Sequence, residues 1–179
     1  MKLYSGAPAL ALLTLVATGT APGLADTPAS KNFVAHLSGD DEVPVRDTLG
    51  QGQAVFHLSD DGNTLSYKLI VANIDNLVAS HIHLGPFGVN GPVVAFLAGP
   101  FAPGGGRVDG VIATGTITSA NLVGPLAGQD LSVLVAAMRN GGTYVNAHTN
   151  DGVDPTNTGP GDFPGGEIRG QIWTAGPRL

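Results

Sequence analysis

His81 and His83, set one residue apart in Ala79-Ser80-His81-Ile82-His83-Leu84-Gly85, are the residues of this chain best spaced for chemistry. Alternate side chains of an extended strand share a face. The two imidazoles therefore point one way, and Ile82 and Leu84 the other. Two residues of strand rise about 6.6 Å, a gap that two rings close by converging on one metal ion. A His-x-His pair also fits a solvated sheet face, so it needs partners. Thr143-Tyr144-Val145-Asn146-Ala147-His148 supplies some, with Tyr144, Asn146 and His148 facing out and Val145 and Ala147 facing in. Glu167-Ile168-Arg169-Gly170-Gln171-Ile172-Trp173 turns Glu167, Arg169 and Gln171 outward and Ile168 and Ile172 inward. If these three strands are neighbours, their outer faces form one patch. Neutral imidazoles suit copper, zinc, iron and nickel. Each ligating ring needs its second nitrogen held by a carboxylate or carbonyl. Glu167 or a loop Asp could serve, and Asn146 belongs to the same supporting set. Arg169 has no lone pair for a metal, but beside one it attracts a small anion.

The elements that must position these residues are strands. Phe33, Ala35 and Leu37 share one face of the first run, and Ala54, Phe56 and Leu58 one face of the second. Asp60-Asp61-Gly62-Asn63 is a hairpin turn, and Leu65, Tyr67, Leu69 and Val71 share a face of the returning strand. Residues 73–78 read as a loop, 93–97 as a buried run, 100–106 as a Gly/Pro loop and 110–117 as a further strand. Leu131, Leu134, Val135 and Met138 fall at helical spacing. Asp130 can cap that helix and Gly141 end it. Seven or eight short strands at this spacing predict an all-β domain: a Greek-key or Ig-like sandwich, or a flattened barrel, with one short helix near 130–140.

The first 25 residues read as a signal peptide. Lys2 precedes the apolar run from Ala9 to Ala17, and Gly23-Leu24-Ala25 offers small residues for cleavage after Ala25. The run is too short to span a membrane, so no span is expected after cleavage. Residues 26–31 form a flexible lead, and 32–174 the β domain. Loss of Lys2 leaves 7 basic against 14 acidic residues, a net charge of −7. That balance argues against nucleic acid. With no Cys, neither a disulfide nor a thiolate is available. The chain is expected in the periplasm or outside the cell.

Other motifs are weaker. Asp151, Asp154 and Asp162 lack the spacing of a known calcium loop and read as turn residues. Gly104-Gly105-Gly106 has no following Lys-Ser/Thr to make a phosphate loop. No Gly-x-Ser-x-Gly elbow is present. His36 and His57 face away from the apolar side of their strands. They are either solvated or able to pair across adjacent strands and offer a fourth ligand.

His81-Ile82-His83-Leu84-Gly85, Tyr144 to Thr149 and Gly166 to Ile172 resemble the three motifs of the chordin-type (CHRD) domain. Glu42-Val43-Pro44 and Asn90-Gly91-Pro92-Val93-Val94 match it too. The likeness covers about residues 32–173 and implies a secreted β domain, with little about activity. A more distant likeness is to copper–zinc superoxide dismutase, whose His-x-His pair, later His and near-terminal Arg follow the same order. It implies His81, His83 and His148 as copper ligands and Arg169 as the catalytic residue guiding superoxide. Residues 84–147 hold no His, so no bridging His and no zinc site are expected, and the disulfide of that family is impossible. The implied enzyme is a copper-only dismutase, with His57, His36, water or nothing as fourth ligand and a homodimer as a possible assembly. Non-catalytic copper binding and a metal-free interaction module are the alternatives.

Overall fold

The computed structural model describes residues 30–176. The expected cleavage site lies outside the described residues. Nine strands and one helix follow in chain order: β1 (Asn32–Ser38), β2 (Gln51–Leu58), β3 (Leu65–Asp75), β4 (Leu77–Leu84), β5 (Val93–Ala98), β6 (Arg107–Ile117), α1 (Leu131–Arg139), β7 (Thr143–Thr149), β8 (Ile168–Gln171) and β9 (Trp173–Thr174). The strands pair antiparallel in the order β5-β4-β7-β8-β1-β2-β3-β6, with β9 added to β1. β5 and β6, the ends of that path, approach each other and nearly close the sheet into a flattened barrel. Closure suits these strands because it leaves few unpaired edges.

The interior is built by the alternation visible in the sequence. Phe33, Ala35 and Leu37 of β1, Ala54, Phe56 and Leu58 of β2, and Leu65, Leu69 and Val71 of β3 enter one core. Ile82, Val145, Ala147, Ile168 and Ile172 continue it through β4, β7 and the β8 segment. The helix adds Leu131, Leu134, Val135 and Met138 to the same core, its four expected apolar positions. Asp130 occupies the N-cap position, but its side chain makes no capping hydrogen bond. At the other end Gly141 adopts φ 64°, the left-handed turn in which a side chain is strained.

Three segments depart from the reading of the sequence. Residues 73–78 are not a loop: β3 runs on to Asp75 and β4 begins at Leu77. Asn73 and Asn76 take left-handed φ values of 59° and 53°, and the β3–β6 register shifts between Val71 and Ile74. The irregularity that resembled a loop is a bulge followed by a tight turn. β6 likewise starts at Arg107, where Arg107 bonds Asp109 along its own strand and Asn73 across on β3. Ser30 and Lys31, placed in the flexible lead, are tied down: the Lys31 carbonyl accepts the Leu58 N–H, and the Ser30 hydroxyl donates to the Asn32 and Ala175 carbonyls.

The larger correction concerns the outer face of β4, β7 and β8. Tyr144, Asn146, Glu167, Arg169 and Gln171 point away from the apolar core, yet all are buried. Segments 39–50, 85–92 and 150–166 lie over them. Buried polar groups need partners, and these loops supply them. Glu167 accepts hydrogen bonds from the Thr48 and Thr149 hydroxyls, both at 2.6 Å, and from the Gly161 N–H at 2.9 Å. Gln171 donates to the Gly85 and Gly141 carbonyls. Asn90 donates to the Val43 carbonyl, joining one covering loop to another. The domain therefore has two interiors, an apolar one inside the barrel and a polar one between barrel and loops.

Candidate metal centre

Antiparallel register brings the expected ligands together. β4 and β7 pair with His81 opposite Asn146, His83 opposite Tyr144 and Ala79 opposite His148. His148 is thus the diagonal neighbour of His81 on the same face, within reach of an imidazole. One ligand atom from each of His81, His83 and His148 lies within 4.8 Å of the other two. His81 Nδ1 and His148 Nε2 are 3.1 Å apart. Imidazole nitrogens bind first-row metals at about 2.0–2.1 Å, so adjacent ligands sit ~3 Å apart and opposite ones ~4 Å. The His81–His148 pair already has ligand spacing, and the group as a whole needs less than ~1 Å of closure to meet the second limit.

The other nitrogens are held by carbonyls. His83 Nδ1–H donates to the Gly91 carbonyl at 2.8 Å, and His148 Nδ1–H to the Pro164 carbonyl at 2.9 Å. A carbonyl only accepts, so each bond fixes the proton on Nδ1 and leaves the Nε2 lone pair toward the cluster. Glu167 and the loop aspartates do not perform this task. The Glu167 carboxylate is committed to Thr48, Thr149 and Gly161, and it steadies the loop carrying Pro164.

All three rings are held neutral. Burial, then the proximity of His148 and His83, pushes His81 down to about 4. Burial lowers His83, with Arg169 adding to the effect and the Gly91 bond and the nearby Asn146 amide opposing it. Burial also lowers His148, against the pull of the Pro164 carbonyl. Three neutral rings converging on one point, two of them locked with an Nε2 lone pair toward it and the third, His81, donating its exchangeable Nδ1 proton to His148, are a donor set that fits a transition-metal ion. His83 Nε2 is moreover a buried atom with no hydrogen-bond partner. On the outer side Phe96 of β5, half exposed, packs edge-on against His81 with centroids 4.9 Å apart.

Arg169 does not face solvent. It is 1 % exposed, and its guanidinium donates to the Asn90 side chain and to the Pro86 and Val89 carbonyls. The guanidinium carbon also lies 3.5 Å from the centroid of the Tyr144 ring. That ring in turn stacks on His83, with centroids 4.8 Å apart and planes 11° from parallel. The Tyr144 hydroxyl accepts the Gly91 N–H at 3.1 Å. Arg169 therefore clamps the 85–92 segment, and Tyr144 holds Gly91, the residue whose carbonyl fixes His83. Gly91 must be glycine, because a Cβ there would lie 1.8 Å from the Leu84 carbonyl oxygen. The sequence reading missed Tyr144, Gly91, Pro164 and Glu42. Glu42 and Gly91 lie in the short Glu-Val-Pro and Asn-Gly-Pro segments, which mark the loops that close over the site.

His36 and His57 lie outside the cluster. They are exposed on β1 and β2, where His36 is opposite Gln53 and His57 opposite Asn32, so they do not pair with each other. Asn32 and His36 are ~13 Å apart along the strand. His57 Nδ1 meets the Asn32 side chain at 2.7 Å instead. Among the described residues, His81, His83 and His148 form the one group with metal-ligand geometry, and no helix is long and apolar enough to cross a membrane. A family model described as the CHRD domain matches residues 33–172. No curated protein and no solved structure matches the chain.

Proposed function

This chain belongs to the CHRD domain family, and from that premise we propose that it is an exported protein holding one copper ion on His81, His83 and His148. The observation that carries this reading is the meeting of three neutral imidazoles within 4.8 Å, two of them locked by carbonyls into the ligating tautomer. Ligand type alone fits zinc as well as copper; the reading takes copper because divalent copper binds a given nitrogen site more tightly. Bound copper would supply one-electron redox chemistry. The protein residues bind it, keep protons off its ligands and limit water on the barrel side.

Three protein ligands leave a position for a small anion, and this favours superoxide dismutation as the catalytic form of the same reading. Arg169 then acts from behind Tyr144 as a fixed positive charge, not as a flexible guide at the mouth. Its donors are spent on Asn90, Pro86 and Val89, which makes it a positioning residue for His83.

Metal analysis of the purified protein, with the electron paramagnetic resonance spectrum of its copper(II) form, tests the binding. One copper per chain with nitrogen hyperfine structure is expected, and loss of both in His83→Ala. A metal-free protein that takes up no copper would leave the interaction-module reading. A superoxide-decay assay on the loaded protein tests the catalytic form. Decay no faster than for His148→Ala would reduce the function to copper binding alone.

A further inference from the structure

Behind His83 lies a buried acid that the metal site as described does not use. Glu42, on the 39–50 segment, is 4 % exposed, Asn146 3 % and His83 8 %. Each has one buried polar atom without a partner: Glu42 Oε1, Asn146 Oδ1 and His83 Nε2. The Asn146 amide lies near enough to Glu42 and His83 to favour the charged form of each, yet Glu42 Oε1, His83 Nε2 and Asn146 Oδ1 make no hydrogen bond. Its Nδ2 and Glu42 Oε1 both border the space beside Gly166, where a Cβ would lie 3.2 Å from the former and 2.2 Å from the latter. Gly166, at φ 124°, is thus the gap that admits the carboxyl group.

Two of the three orphaned atoms, Asn146 Oδ1 and His83 Nε2, have one common explanation. An amide has a donor end and an acceptor end. With Nδ2 toward Glu42, the Oδ1 end is left for His83, whose Nε2 is also an acceptor because its Nδ1 proton is spent on Gly91. Two acceptors then meet and both go unsatisfied. Two arrangements remove the conflict. In one, a metal ion takes the His83 Nε2 lone pair and Nδ2 stays on an ionised Glu42. In the other, without metal, the amide turns over, Nδ2 donates to His83 Nε2, and Oδ1 faces a Glu42 carboxyl that must carry a proton to donate.

Resting on the copper reading above, we infer that Glu42 is the buried acid of the metal centre, coupled to it through the Asn146 amide, so that loading the metal releases one proton from Glu42. The balance is simple: the metal ion enters, the O–H bond of the Glu42 carboxyl breaks, the proton goes to solvent, and the new carboxylate offsets one unit of metal charge. The surroundings allow both states. Burial raises Glu42 above the ordinary carboxylate range, while the Val43 N–H, Arg169 and Arg46 favour the ion. Arg46 and Asp41 on the same segment, Arg169 on β8 and His83 on β4 are the titratable and charged groups around this pocket, and β7 adds Tyr144, against Arg169 and His83, and His148, beside His83, to the neutral Asn146.

Glu42→Gln is the decisive variant, because its amide can donate to Asn146 Oδ1 and fix the turned arrangement without charge. Calorimetric titration of the metal-free protein with copper(II), in buffers of different ionisation enthalpy from pH 5 to 7, counts the protons released. The wild type should release up to one proton more than Glu42→Gln at the acid end, the difference closing as pH rises. Equal counts at every pH would overturn the inference. A second measurement needs no metal: in the 15N spectrum of the metal-free protein, His83 Nε2 should shift with Glu42 ionisation in the wild type and lose that step in Glu42→Gln. An unchanged His83 titration in the variant would overturn the coupling, even if copper does not bind. Failure to bind copper, with the 15N step present, would overturn the copper reading alone.

Discussion

Two halves of the same barrel carry histidines on strand faces turned from the core, and they put them to opposite uses. On β1 and β2, His36 and His57 stand in solvent, and His57 meets only an Asn32 side chain. On β4 and β7, His81, His83 and His148 lie under loops, and burial holds all three below the ordinary histidine range. Strand parity is the same in both halves. The difference is the cover: segments 39–50, 85–92 and 150–166 turn an outer face into a second interior, where every polar group must find a partner. Position on a strand thus sets the direction of a side chain, while the overlying loops set its chemistry.

The contrast breaks most sharply on the ligands. His83→Ala or His148→Ala should abolish copper binding, a loss of at least about 100-fold in affinity. His36→Ala and His57→Ala should leave copper stoichiometry unchanged. Competition against a copper chelator measures both, and a loss of copper in His57→Ala would erase the distinction between the halves.

Next in size is the polar interior itself. Glu167→Ala strands the Thr48 and Thr149 hydroxyls and the Gly161 N–H, and should cost about 3 kcal/mol. For a domain of this size that lowers Tm by roughly 6–12 °C, read by thermal unfolding of the metal-free protein. A shift under ~2 °C would show that the covering loops are not held by this carboxylate.

The pH response sharpens the comparison further. The folded-state pKa of His81 is lowered from 6.5 to about 4, so the unfolded chain binds more protons in that interval. Stability of the metal-free protein is complete above pH 6.5 and falls as pH drops from 6.5 to 4. His83 and His148 act in the same direction. Glu42, raised above 4.5, has the opposite sign: its contribution is full below pH 4.5 and is lost as pH rises through its folded value. Unfolding midpoints from pH 4 to 8 should flatten on the acid side in His81→Asn, and an unaltered profile would remove His81 from the buried set.

Smaller effects follow. Tyr144→Phe keeps the ring on His83 but loses the acceptor for the Gly91 N–H, so about 1 kcal/mol and a several-fold drop in copper affinity are expected. Smallest of all, His57→Ala should move Tm by no more than about 2 °C, as an exposed polar substitution.

Parts of the site were legible before any coordinates. His81-Ile82-His83 and Asn146-Ala147-His148 announced strand parity, and parity with antiparallel pairing is enough to put three rings on one face. Asp130 holds the N-cap position read for it, without a side-chain bond, and the 73–78 loop was misread because a bulge at Asn73 carries the same loop-like residues as a connection. Arg169 was read as an anion guide because alternation turned it outward. Its chemistry depended on Pro86, Val89 and Asn90, about 80 residues away in the chain.

By itself, then, the sequence determined the β architecture, the apolar face of nearly every strand and the helix, and that His81 and His83 share a side, while the pairing of β7 with β4 brought His148 to them. What the sequence determined is local, set by a two-residue or 3.6-residue period. Tertiary structure alone decided that this side is roofed over, that the Gly91 and Pro164 carbonyls choose the ring tautomers, and that Glu42 is buried behind Asn146. Those outcomes depend on contacts between distant segments and on removal of water, and no local pattern of residue types encodes either.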